Sequence, residues 1–202
     1  MSAVATRALA REDARTLAIL GAGVQAQSHL EAMRALHPWE RIVVWSRTRE
    51  HAEHLGVDVA DTAEEALRDA DVVCTTTTSR EPVVRREWLK DGAHVNAVGS
   101  SIPTTRELDT ATVADASLFV DRRESTLNEA GDYLFPAGEG AIGPEHIRAE
   151  LGEVLAGAAE GRRSPDELTV FKSLGLAVED LACAQFLLQR ARELGRGSEV
   201  DF

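Results

Sequence analysis

An excess of positive charge, long apolar runs and paired cysteines are all missing from this chain. Lys and Arg number 22 against 34 Asp and Glu, a formal net charge of −12 over 202 residues. A surface of that sign repels phosphate backbones and anionic lipid, which sets nucleic acid and membranes aside as partners. No apolar run approaches the roughly 20 residues needed to cross a bilayer. Residues 1–15 alternate small apolar and charged side chains without a long apolar core, so they do not read as a secretory signal. The two cysteines, Cys74 and Cys183, lie in separate apolar stretches without metal-ligating neighbours. They are expected to be buried, reduced thiols of a cytoplasmic protein, and no metal site is expected. There is no low-complexity linker and no repeat beyond an alternation of strand and helix. No His/Asp/Ser or Cys/His constellation is readable.

What is present suits one large α/β domain or a domain with an appendage: 44% hydrophobic and 28% charged residues. Short apolar runs at 16–20, 41–45, 57–60, 71–75, 94–98 and 118–121 read as strands, with a further short strand at 168–171. Amphipathic stretches lie between them. Ala26, Leu30, Met33 and Leu36 fall on one helical stripe, and Thr62 followed by Glu65 is a capping-box start. The expected fold is a Rossmann-type, doubly wound, mostly parallel sheet over residues 1–174. In the last third, helices are expected at 125–130 and 150–160, a Gly/Pro-rich loop at 135–144, and one long helix over 175–194 with an extended or frayed tail behind it. Residues 175–202 then form a separate C-terminal part.

The first strand runs straight into Gly21-Ala22-Gly23-Val24-Gln25-Ala26, a G-x-G-x-x-A turn between a strand and a helix. Gly21 allows the tight turn, Gly23 lets a pyrophosphate approach the backbone, and Ala26 lets helix and strand pack closely. The free N–H groups at the helix start and the helix dipole favour an anion there. A dinucleotide is therefore the expected ligand. At the end of the second strand, where NAD-preferring domains carry an acid, the chain reads Ser46-Arg47-Thr48-Arg49. An Arg fork suits a 2′-phosphate, which favours NADP(H), with NAD(H) the alternative and solvated helix-start arginines the bland one. Thr75–Ser79 and the turn Val98-Gly99-Ser100-Ser101 end the fourth and fifth strands on the ligand side of the sheet. Their hydroxyls suit a cofactor, although β-prone residues finishing a strand look the same.

The stretches LAILGAGVQAQSH (17–29), VVWSRT (43–48), DGAHVNAVGSSIPTTRELD (91–109), ELGEVLAG (150–157) and TVFKSLGLAVED (169–180) together resemble the ornithine cyclodeaminase and mu-crystallin family, nearer its mu-crystallin side. The resemblance implies NADPH binding and reduction of cyclic ketimines or related imines derived from amino acids. It implies that Gly21, Ala22, Gly23, Val24 and Gln25 hold the pyrophosphate and that Ser46, Arg47 and Thr48 hold the adenosine ribose phosphate. Thr77, Thr78, Val98 and Ser100 would line the cofactor groove, with Lys172, Ser173 and Leu174 at the nicotinamide end. It further implies a small amino-acid-like substrate and a homodimer.

Two departures bear on activity. Ser101 stands where cyclodeaminases of this kind carry an Asp, and a hydroxyl without an activating partner is no general base at neutral pH. Imine reduction is thus favoured over ornithine cyclodeamination, with a catalytically inactive NADP(H)-binding module as a third alternative. The family's N-terminal substrate and dimerisation segment, with its Arg and Lys, is expected to be lacking, because the chain begins in what reads as the helix leading into the first strand. The expectation is a shortened enzyme or a stand-alone domain, with the long C-terminal helix lacking its usual cover. Catalytic residues are not identified; Ser101 and Lys172 are the weak candidates, and a snorkelling Lys172 is the plainer alternative. Asp121 could reach the nicotinamide region or merely cap a helix in solvent. His29 and His94 read as packed side chains, His37, His51 and His54 as surface ones.

Overall fold

The computed structural model describes residues 1–200; Asp201 and Phe202, the end of the tail expected to be extended or frayed, lie outside the described residues. The strands are β1 (Thr16–Leu20), β2 (Arg41–Trp45), β3 (Asp58–Val59), β4 (Val72–Thr75), β5 (His94–Ala97), β6 (Ser117–Val120), β7 (Ile147–Glu150) and β8 (Thr169–Lys172). The helices are α1 (Ser2–Leu9), α2 (Val24–Leu36), α3 (Arg49–Glu53), α4 (Ala63–Leu67), α5 (Thr110–Asp115), α6 (Arg123–Glu129), α7 (Gly131–Gly138), α8 (Leu151–Leu155) and α9 (Ala177–Leu194). The strands form one wholly parallel sheet in the order β3-β2-β1-β4-β5-β8-β6-β7. The chain leaves β1 toward β2 and β3, then returns to place β4 on the other side of β1. The carboxyl ends of β1 and β4 therefore border the switch-point crevice where such sheets bind ligands.

Every residue of β4, β5 and β8 is buried, as central strands covered on both faces require. Alternation splits the strands between two cores. Ala18, Leu20, Val43, Val73, Val95 and Val170 face the layer containing Leu67, Val113 and Tyr133. Leu17, Ile19, Val44, Val72 and Cys74 face Ala26, Leu30 and Met33 of α2. Phe119 and Phe171 pack with Ala5 and Leu9 of α1 and Leu151 of α8. Each such Leu, Ile or Phe contributes about 1.5–3 kcal/mol by leaving water. At the amino end of the sheet, buried Asp71 accepts from the Arg15 and Thr16 N–H groups at 2.8 and 2.9 Å and meets Arg11 Nη2 at 2.7 Å and Lys90 Nζ at 2.6 Å. Burial opposes ionisation of Asp71, but these donors outweigh it and hold its pKa below the usual value. The expected cap at Thr62 is present, its side chain accepting from Glu65 N–H at 3.0 Å.

The last third departs from expectation. β7 was not anticipated: Arg148 and Glu150 interrupt its apolar pattern because it is an edge strand, and Arg148 Nη1 pairs with Glu167 Oε1 at 2.5 Å. α7 occupies the first part of the expected loop. Pro136 removes one N–H late in that helix, while burial of Asp132, Tyr133 and Pro136 holds the turn. α8 is shorter than the helix expected at 150–160; Glu150 and Glu153 form its capping box, and Gly157, at φ +71°, follows its end. Cys74 is buried as expected, and burial pushes its thiol up to about 12; Cys183 is free but exposed, contrary to expectation, because α9 presents no buried residue.

Candidate functional site

The turn after β1 is pinned on both sides. Gly21 N–H donates to Trp45 O at 2.8 Å, and Thr76 donates to Leu20 O through its N–H at 2.8 Å and its hydroxyl at 3.0 Å. Gly21 adopts φ +114°, and a Cβ there would stand 2.6 Å from Thr76 Oγ1, so both backbone conformation and close approach require glycine. Gly23 is different. Its φ of −86° is open to any residue, and a Cβ there would meet nothing within 4 Å. Neither strain nor packing among the described residues accounts for glycine at 23. Gly23 is also the N-cap of α2 and supplies no side-chain acceptor, so the first N–H groups of a 13-residue helix stay free to meet an anion.

Around this turn lies a groove of about 230 Å³, lined by Gly21, Ala22, Gly23, Trp45, Ser46, Arg47, His51, Val83 and the run Thr76, Thr77, Thr78 and Ser79. No carboxylate lines it. Arg47 is exposed and makes no ion pair among the described residues, whereas Arg49 is taken up by Glu53 and Asp61. Of the two arginines considered from sequence, Arg47 alone is on the groove.

Seven expected cofactor residues thus share one surface: Gly21, Ala22, Gly23, Ser46, Arg47, Thr77 and Thr78. Val24 is 81% exposed and borders an adjoining groove between α2 and α3, and the Gln25 carbonyl accepts from His29 Nδ1 at 2.7 Å. Thr48 precedes α3, its N–H directed at Ser46 Oγ at 3.4 Å. Val98 lies at the carboxyl end of β5, its N–H donating to Thr75 O at 3.1 Å, and Ser173 and Leu174 follow β8. Ser100 is buried, its hydroxyl donating to Thr105 O at 2.5 Å, and it does not line the groove.

The two catalytic candidates separate. Ser101 is exposed and hydrogen-bonds to no other described residue. Lys172 is only 1% exposed; its Nζ meets Asp132 Oδ2 at 3.0 Å and Ser100 O at 2.5 Å, so it does not snorkel. Asp121 is buried rather than solvated. Its Oδ2 accepts from the Leu174 and Gly175 N–H groups at 2.6 and 2.7 Å and so fixes the turn after β8. His94 is wholly buried against Thr169 Oγ1, and burial, with Arg162 nearby, lowers its pKa to about 3.

Thr76 and Ser79, from the hydroxyl run expected to meet a cofactor, line the groove as well; sequence reasoning passed over Trp45, His51 and Val83 there, and Glu107 beneath it. Strand-end position was an available signal for Trp45. His51 could have been found from α3 following the Ser46–Arg47 turn. Val83 and Glu107 arrive from distant loops, and no local pattern marks them.

Comparison with known proteins extends this architecture to relatives. Delta(1)-pyrroline-2-carboxylate reductase of Bacillus cereus is 39% identical over all of this chain and 65% of its own length. Ketimine reductase mu-crystallin of Mus musculus is 44% identical over 93% of this chain and 59% of its own. A solved structure of Thermococcus litoralis Delta(1)-pyrroline-2-carboxylate reductase in complex with NADH and L-proline superimposes with a TM-score of 0.93 and 40% identity, over 98% of this chain and 65% of that one. The chain therefore spans about two thirds or less of the length of these relatives. The model of the ornithine cyclodeaminase/mu-crystallin family matches residues 1–195. With the glycine turn, the acid-free groove and the sheet order all in place within that match, the chain belongs to the ornithine cyclodeaminase/mu-crystallin family.

Proposed function

We propose that the chain is the dinucleotide-binding part of an NAD(P)H-dependent reductase of small cyclic imines derived from amino acids, and that it prefers NADP(H). Gly23 carries the proposal: it is a glycine with no reason in the chain's own strain or packing, at the mouth of a free helix N-terminus. Gly21, Ala22 and Gly23 would hold the pyrophosphate. Ser46 and Arg47, with Thr48 beside them, would hold the adenosine 2′-phosphate, favoured by the lack of a groove carboxylate. Thr77, Thr78 and Val98 lie toward the distal half, and the turn at Ser173 and Leu174, held by Asp121, closes its far side. When bound, the reduced dinucleotide supplies the hydride for a C=N carbon. Ser101, with no base beside it, fits orienting a substrate better than the deamination chemistry of a cyclodeaminase.

In this proposal residues 1–174 are the nucleotide-binding domain and 175–202 a separate C-terminal part, whose helix α9 reaches toward another surface, in a homodimer or a further domain. No described helix is long and apolar enough to cross a membrane, and we place the protein in the cytoplasm. The deciding experiment follows NADPH oxidation with pyrroline-2-carboxylate and piperideine-2-carboxylate. It uses the chain alone and the chain complemented by the N-terminal part of a family member. Oxidation with either imine is expected. Its absence from both proteins ends the reductase proposal, and ammonia release from ornithine would replace it with cyclodeamination.

A further inference from the structure

Under the groove, on the side away from Ser46 and Arg47, one wholly buried carboxylate joins the ends of two strands. Glu107 Oε1 accepts from Thr77 N–H at 2.7 Å; Oε2 accepts from the Thr75 hydroxyl at 2.6 Å and from Gly99 N–H at 2.8 Å. The fit is tight: a Cβ at Gly99 would lie 2.5 Å from Glu107 Oε1. The segment bearing Glu107 is itself held, since its N–H and that of Leu108 donate to Asp132 Oδ1 at 2.7 and 2.9 Å. Asp132 in turn meets Lys172 at the end of β8. Burial of acids beside a base gives no general gain in stability over apolar packing, so this arrangement calls for another account.

The place supplies one. With the pyrophosphate at Gly21 to Gly23 and the adenosine at the end of β2, the rest of a dinucleotide must run over the carboxyl ends of β4 and β5. Those are the two turns that Glu107 ties together. We propose that Glu107 is a positioning residue for the nicotinamide half of the ligand, setting the spacing of the Thr75–Thr77 and Gly99 turns without touching the ligand. The inference rests on the dinucleotide function proposed above.

Glu107→Gln tests it. Whichever way the amide turns, its NH₂ faces a backbone N–H, that of Thr77 or that of Gly99, so one turn is pushed away while side-chain size is kept. Binding of NADPH and of 2′,5′-ADP, which lacks the nicotinamide half, is measured on the full chain. Glu107→Gln is expected to weaken NADPH about tenfold or more while leaving 2′,5′-ADP within about twofold. Thr75→Val removes one donor at nearly constant volume and is expected to act in the same direction, about threefold; it decides the matter if Glu107→Gln does not fold. Equal losses for both ligands, or no loss for either, overturn the proposal. A wild-type chain that binds neither ligand overturns the dinucleotide function first, and this inference with it.

Discussion

At Gly21 the backbone stands in a conformation that side chains avoid, with Thr76 closing the space where a methyl group would go. Gly21→Ala is therefore expected to cost about 2–4 kcal/mol of stability, as positive-φ strain and overpacking combine. Chemical denaturation would show it, and a loss under about 0.5 kcal/mol, the range of ordinary surface substitutions, would mean that the turn relaxes freely. Arg47 is the opposite case, an exposed side chain with no ion-pair partner among the described residues. Arg47→Ala should leave the unfolding midpoint unchanged. It should weaken NADPH about tenfold, the worth of one solvent-screened charge-assisted contact, and leave NADH within about twofold. Equal losses for the two nucleotides would remove the 2′-phosphate role. Both residues were legible in the sequence because their chemistry is local: a turn glycine between strand and helix, and a cation where an acid would otherwise stand. The surroundings of Lys172, Asp121 and Ser100 were not legible because each is defined by what it meets. Their partners, Asp132, the Leu174 and Gly175 N–H groups and Thr105, include groups far away in sequence.

The same contrast holds for elements. β1, α2 and β4 announce themselves by apolar runs and a helical stripe, since both their faces or one whole stripe are buried. β7 lies at the sheet edge with charged residues in its ladder. α7 forms through burial despite its glycines and proline, so propensity pointed the wrong way in both. The place of β8 between β5 and β6 has no local signature at all. Its seam with β5 carries a testable property. His94 of β5 is buried beside Thr169 of β8, and burial first, then Arg162, lowers its pKa to about 3. The unfolded chain therefore binds the His94 proton at a higher pH than the folded one. Stability is complete above the unfolded pKa near 6.5 and is lost as pH falls toward 3, by up to about 1.4 kcal/mol per pH unit. Glu107 works the other way: burial and Asp132 raise its pKa, so its contribution is present at low pH and lost as pH rises through the folded value. Comparison with His94→Gln separates the two. Between pH 6.5 and 5 the wild type should lose stability relative to the variant, read from denaturant midpoints at each pH. Parallel curves would show that His94 stays protonated, or becomes so at no cost.

At the scale of the whole molecule, α9 differs in burial from the sheet and the helices packed on it. The helix runs for 18 residues with none buried, and Leu181, Phe186, Leu187 and Leu188 are each more than half exposed, Leu181 at 67%. Gly195, in the left-handed conformation at φ +61°, closes its end, and Arg196 N–H bonds back to Ala191 O at 2.9 Å. Most helical stability in proteins comes from packing of an apolar face, and α9 has no buried residue to supply it. Apolar surface on this scale is instead what a partner surface covers. Amide hydrogen exchange distinguishes the conditions. In dilute solution α9 should exchange at least about a hundredfold faster than β1, β4 and β5, whose amides open only with the global unfolding of the sheet. If a second copy is the cover, raising the protein concentration should slow exchange in α9 and leave the sheet unchanged, because only the associated state buries the helix. Leu181→Glu with Leu188→Glu should abolish that slowing without moving the unfolding midpoint. Protection of α9 equal to that of β4 at the lowest concentration would contradict the exposed helix itself. Protection that stays low at every concentration would leave the helix in place but remove the second copy as its cover, and a further domain would then be the surface it serves.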